Sequence, residues 1–168
     1  MTIKTIVRIA IVWAILTVTG CSASNEKTND LYLLPEGYEG IAYAFYNVKN
    51  APPLTKEGDY DVYLMNEKGY FVTSTPDMEY GRITDKYYYI DKQGQRKPIQ
   101  DGCVRALGTG GFSTSIGEPE SIEIRYTGIE VTQTNCGKAF KEGENSTLAE
   151  DVDAVIDEIL KEYEKASN

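Results

Sequence analysis

The chain has 168 residues, with 17 Lys+Arg against 26 Asp+Glu, 3 cysteines and no histidine, enough for one folded domain at ~100–200 residues each. A formal net charge of -9 argues against nucleic acid as a partner, because binding its backbone takes clustered Lys and Arg to displace counterions. The missing imidazole removes Ser-His-Asp and Cys-His catalysis and His-ligated zinc, and no cofactor is expected.

Lys4 and Arg8 precede an apolar run at 9–18, which Val18-Thr19-Gly20-Cys21 closes. A charged head, a short apolar run and small residues at the cut make a secretory signal. The run is shorter than the ~20 apolar residues that a membrane-spanning helix needs. Its ending resembles the bacterial lipobox, in which an aliphatic residue and two small ones precede a cysteine that receives a diacylglyceryl group and becomes the first residue after cleavage. The expectation is a signal peptide over 1–20 and a lipidated Cys21. Two acyl chains there would hold the protein stably on the extracytoplasmic side of a bacterial cell membrane, where one would not. Cleavage also removes Lys4, Arg8 and Trp13, leaving a body still more acidic than -9. Such a body should stand off an anionic surface. After the lipidated cysteine, the polar stretch 22–30 completes a segment (21–30) that reads as a flexible tether of about 16 Å.

From Leu31 the pattern becomes short β-rich runs between turn residues, a β domain expected over 31–146. Residues 31–34 come first and stop at Pro35-Glu36-Gly37. Residues 41–48 are apolar on both alternating faces, as in a central strand, and end before Pro52 and Pro53, which cannot donate to a ladder. Residues 60–65 and 70–74 flank Asn66-Glu67-Lys68-Gly69 and read as a hairpin with a longer loop. Residues 86–90, 104–107, 121–126 and 129–132 supply further strands, with Gly108-Thr109-Gly110-Gly111 as a glycine-rich connection. Strands this short favour an antiparallel sandwich or open barrel. A helix follows over 147–166. Thr147 and Glu150 form a capping box, and Leu148, Val152, Val155, Ile156, Ile159, Leu160 and Tyr163 recur at steps of 3 and 4 as a stripe fit to cover a sheet.

Four stretches carry a resemblance. They are residues 33–40 (Leu-Leu-Pro-Glu-Gly-Tyr-Glu-Gly), 46–54 (Tyr-Asn-Val-Lys-Asn-Ala-Pro-Pro-Leu), 73–76 with Glu79, Tyr80 and Gly81, and 87–91 with Gly94 and Arg96. In this order they resemble a domain-of-unknown-function family of bacterial lipoproteins and other exported proteins, over about 31–98. The resemblance implies a β-rich extracytoplasmic domain and brings no catalytic residue with it.

The remaining candidates are few. Cys103 and Cys136, 33 residues apart, are the two thiols left beside Cys21, and outside the cytoplasm such a pair is most simply a disulfide. Tyrosine supplies 13 of the aromatics. Its consecutive run Tyr87-Tyr88-Tyr89 must reach both faces of a strand, which makes it the candidate binding surface. Asp151, Asp153 and Asp157 superficially suggest a calcium loop, whose sixth position would need Gly and twelfth Glu; those positions hold Ile156 and Glu162, so the aspartates read as a solvated helix face and no metal site is expected. Glu118-Pro119-Glu120 reads as an acidic turn. The functional expectation is a non-enzymatic module that binds a protein, peptide or envelope polymer. A structural or stress accessory, and then a carboxylate- or serine-dependent hydrolase, are the alternatives.

Overall fold

The computed structural model describes residues 26–114, 122–143 and 152–165. The signal peptide, Cys21, the turn at Glu118 and the Thr147 capping box lie outside the described residues. Among the described residues nine strands form two sheets. The first joins β3 (Thr55–Glu57), β4 (Tyr60–Leu64), β1 (Asp30–Pro35), β6 (Lys86–Ile90) and β7 (Arg96–Pro98), in that order. The second joins β5 (Tyr70–Val72), β2 (Gly40–Tyr46), β9 (Ile122–Val131) and β8 (Val104–Thr114). A single 3-10 turn (Asp101–Cys103), a short helix α1 (Lys138–Lys141) and the C-terminal helix α2 (Val152–Lys165) complete the described elements.

The sheets are mixed, which corrects the antiparallel expectation. β1 runs parallel to both β4 and β6, and β2 runs parallel to β5. Parallel neighbours need a crossover, and here the chain makes it by passing through the opposite sheet. The expected 60–74 hairpin divides for the same reason. Its turn closes through Asn66, whose Oδ1 accepts from the Lys68 and Tyr70 backbone N–H groups at 3.0 Å each, but β4 and β5 then join different sheets.

The two sheets share one apolar layer built from Tyr32, Leu34 and Tyr63 on one side and Ala42, Ala44, Tyr46, Ile129 and Val131 on the other. The small Ala42 and Ala44 leave room for the facing rings. The opposite face of β2, carrying Ile41, Tyr43 and Phe45, joins Ile124, Ile156 and Ile159 in a second layer under α2. β2 is therefore buried along its whole length, as its two-sided apolar pattern requires.

Neither sheet closes on itself. In a flat sheet with 4.7–4.9 Å between strands, the edges β3 and β7 would stand about 19 Å apart. Yet Glu57 of β3 and Arg96 of β7 form a two-pronged ion pair with both contacts at 2.8 Å. The first sheet is thus curled, and Leu31 and Leu33, which point away from the shared layer, are buried beneath the curl.

Two sequence readings change. Residues 108–111 are not a connection but the middle of β8. The Tyr126 ring lies against Gly110, where an added Cβ would come within 2.3 Å of it, so a glycine there makes space for the ring. Part of the stretch expected as tether is placed on the sheet. Glu26 to Asn29 already dock on 81–85, with Lys27 bridged to Arg82 and the Arg82 N–H donating to the Glu26 carbonyl at 2.9 Å.

Candidate functional site

The densest polar chemistry sits in the first sheet. Asp-x-Tyr occurs three times, at 30–32, 61–63 and 85–87. Register sets Asp30 beside Asp61, and Tyr32 beside both Tyr63 and Tyr87. Residues i and i+2 share a strand face, so a row of aspartates runs alongside a row of tyrosines on the side facing the second sheet. The Tyr32 ring stacks on Tyr63 at 4.9 Å and on Tyr87 at 5.3 Å.

The hydroxyls return to the acids or to each other. Tyr32 donates to Asp30 Oδ2 and Tyr87 to Asp85 Oδ2, each at 3.3 Å, and Tyr46 donates to the Tyr63 hydroxyl at 2.9 Å. Asp85 also accepts from the Thr28 hydroxyl and from the Asp30 backbone N–H at 3.2 Å. Lys56 pairs with Asp61 at 3.2 Å, and that hydrogen bond raises the lysine's pKa.

Among the described residues no Lys or Arg forms an ion pair with Asp30. It is 6% exposed, and its Oδ1 has no hydrogen-bond partner among the described residues. Burial first, then the charges of Asp85 and Asp61, push its pKa up to about 8, against the pull of the Tyr32 hydroxyl. Burial likewise raises Tyr32, Tyr46, Tyr63 and Tyr87 above the ordinary phenol range. At neutral pH these causes favour the protonated form of the Asp30 carboxyl. A carboxyl kept protonated can supply a general acid, but here it is buried beside the tyrosine row.

The Tyr87-Tyr88-Tyr89 run does not form one surface. Tyr87 and Tyr89 turn inward to pack against the shared layer, where Tyr89 donates to the Tyr38 carbonyl at 3.0 Å. Tyr88, one residue out of phase, takes the opposite face. A polar depression of about 200 Å³ at the far end of β6 is lined by Glu36, Tyr89, Asp91 and Arg96 among others, and none of the three aspartates borders it. Cys103 and Cys136 are joined, with their sulfurs 2.01 Å apart. The bond ties the turn before β8 to the segment before α1. Among the described residues no group of three or more His, Cys, Asp or Glu side chains is placed to hold a metal ion. No described helix is long and apolar enough to cross a membrane.

Residues 26–140 match the model of a family of unknown function, DUF6843. The chain belongs to that family. A crystal structure of a presumed lipoprotein from Bacillus anthracis is similar, at 31% identity with a TM-score of 0.73. The likeness covers 82% of this chain and 98% of that one. No curated protein matches.

The DUF6843 match includes all of the resemblance seen over 31–98 and extends past both ends. It begins at residue 26, whose carbonyl accepts from the Arg82 N–H, and stops at Phe140, which is buried with its ring 5.6 Å from the Arg105 guanidinium. Helix α2 packs on the DUF6843 region from outside the match. The aspartate row escaped the sequence reading, although three Asp-x-Tyr triplets were there to be seen. Their unequal spacing hides them until register brings them together.

Proposed function

We propose that this chain is an exported lipoprotein, fastened through Cys21, whose folded domain works by binding on the extracytoplasmic side of the membrane and not by catalysis. The likeness to the presumed Bacillus anthracis lipoprotein, taken with the lipobox ending at Cys21, carries the anchoring half of this reading. The burial of Asp30 beneath Tyr32 and Tyr63 supports the other half, because the acid best tuned for proton transfer is shut away from any substrate. The shared core layer supports reading the two sheets as a sandwich.

Metabolic labelling with a fatty acid tests the anchor. The native chain should take up label, while Cys21→Ser should lose it and leave the membrane fraction. Membrane retention of Cys21→Ser with its leader uncleaved would replace the lipid by a transmembrane anchor. Crosslinking in intact cells, followed by co-purification, tests the binding role. Recovery of a discrete protein or envelope polymer is the expected result.

A carboxylate hydrolase is the second reading, and the raised pKa of Asp30 is the observation that favours it. It requires a path from solvent to Asp30. Asp30→Asn then decides: loss of a hydrolytic activity in that variant, with the fold intact, would promote this reading over binding.

A further inference from the structure

The end of the first sheet where residue 26 enters carries an unusual surface. Tyr80 is 55% exposed and Ile83 57%, two large apolar side chains three residues apart. Between them Arg82 holds the incoming chain. Its N–H donates to the Glu26 carbonyl at 2.9 Å, and its carbonyl accepts from the Thr28 N–H at 3.2 Å. Lys27 lies opposite Arg82 across the bridge, and both are exposed. Neither cation has an ion-pair partner among the described residues. Exposed Glu26 and Glu79 share this end, and the Tyr80 hydroxyl donates to Asp77 at 3.1 Å.

The length of chain outside the described residues says what this surface meets. From Cys21 to Glu26 the reach is at most about 18 Å at ~3.3–3.6 Å per residue, because residues 26–29 are already docked. A lipid on Cys21 therefore draws this end of the domain, and not its helix-covered face, toward the bilayer.

We propose that Tyr80, Ile83, Lys27 and Arg82 form a membrane-contact foot, seated in the headgroup region of the bilayer that carries the Cys21 lipid. The inference rests on the anchoring reading above. A tyrosine ring with an apolar body and polar tip suits the headgroup level, an isoleucine beside it enters the acyl boundary, and exposed Lys and Arg side chains meet anionic lipid phosphates. The net acidity of the chain still repels the rest of the body, which fixes the foot as the contacting end.

Tryptophan quenching tests this on the lipidated full-length protein in vesicles of phosphatidylglycerol and brominated phosphatidylcholine. Trp13 leaves with the signal peptide, so Tyr80→Trp gives the anchored chain a single tryptophan. Leu107→Trp, on exposed β8 of the other sheet, is the control. Emission from Tyr80→Trp should be quenched by bromine and shifted to the blue, while Leu107→Trp keeps the emission it has in vesicles without bromine. Replacing Lys27 and Arg82 by Gln should weaken the Tyr80→Trp quenching in these vesicles and leave it unchanged when phosphatidylglycerol is omitted. Co-flotation with vesicles but no quenching at position 80 would overturn the foot and leave the anchor standing. Failure to co-float would overturn the anchor and the foot together.

Discussion

Asp85, the residue just before β6, holds Asp30, accepting its backbone N–H at 3.2 Å while its own charge helps to keep the Asp30 carboxyl protonated. One aspartate thus serves as hydrogen-bond acceptor to the other's main chain and as electrostatic opponent to its side chain. The balance between the two roles depends on pH.

The sign follows from the two protonation states. Asp30 titrates near 3.8 when unfolded and near 8 when folded, so between these values the folded state keeps a proton that the unfolded state gives up. Stability should fall across this window as pH rises, at ~1.4 kcal/mol per pH unit for one proton. It should level off above about pH 8. Asp30→Asn keeps the size and removes the titration, so its urea midpoints should depend less on pH and exceed the native ones above about pH 8. Parallel curves for the two proteins would mean that Asp30 is ionised in the fold.

Docking of α2 is the second expectation. Ile156 and Ile159 are 1% and 0% exposed, packed against the β2 layer of Phe45. Ile159→Ala should cost ~2–5 kcal/mol, measured by denaturant unfolding. A loss well under ~1 kcal/mol would show that the helix only rests on the sheet.

The Cys103–Cys136 bond closes a separation of 33 residues, which in the loop-entropy account is worth roughly 3–4 kcal/mol. Replacing both cysteines by Ala should lower stability by that order without changing the β signature in far-ultraviolet dichroism. Mapping of native peptides without reductant should recover the linked pair. Two freely alkylated thiols would contradict the bond.

Gly81 is where the docked segment can be loosened. An added Cβ would come within 2.3 Å of the Glu26 carbonyl oxygen and 2.9 Å of the Lys27 nitrogen, both main-chain atoms that cannot rotate away. In Gly81→Ala, amide exchange at Arg82 and Thr28, whose N–H groups bond across this junction, should quicken. The β2 amides should be unaffected. Unchanged exchange at Thr28 would mean that residues 26–28 tolerate the displacement.

What the sequence disclosed depended on how local each signal was. The stripe from Val152 to Tyr163 and the two-sided apolar run at 41–48 are facts about neighbouring residues, and both appear as packed elements. Strand partners are set by long-range contacts, so the parallel pairing of β1 with β4 and β6 left no trace in either strand's own pattern. Glycines misled for a related reason. Gly110 looked like a turn residue, but the reason for it is the Tyr126 ring on the adjacent strand. The buried acid was hidden in the same way, since nothing in residues 30–32 alone tells that Asp61 and Asp85 flank them.

The placement of β1 has a mechanical consequence. It is the middle strand of its sheet, paired at four positions with β4 and at five with β6, all three pointing the same way. A pull on residue 26 along the strand axis loads both ladders at once in shear, so the domain resists tugging at this end far better than it would if an edge strand could be peeled off bond by bond.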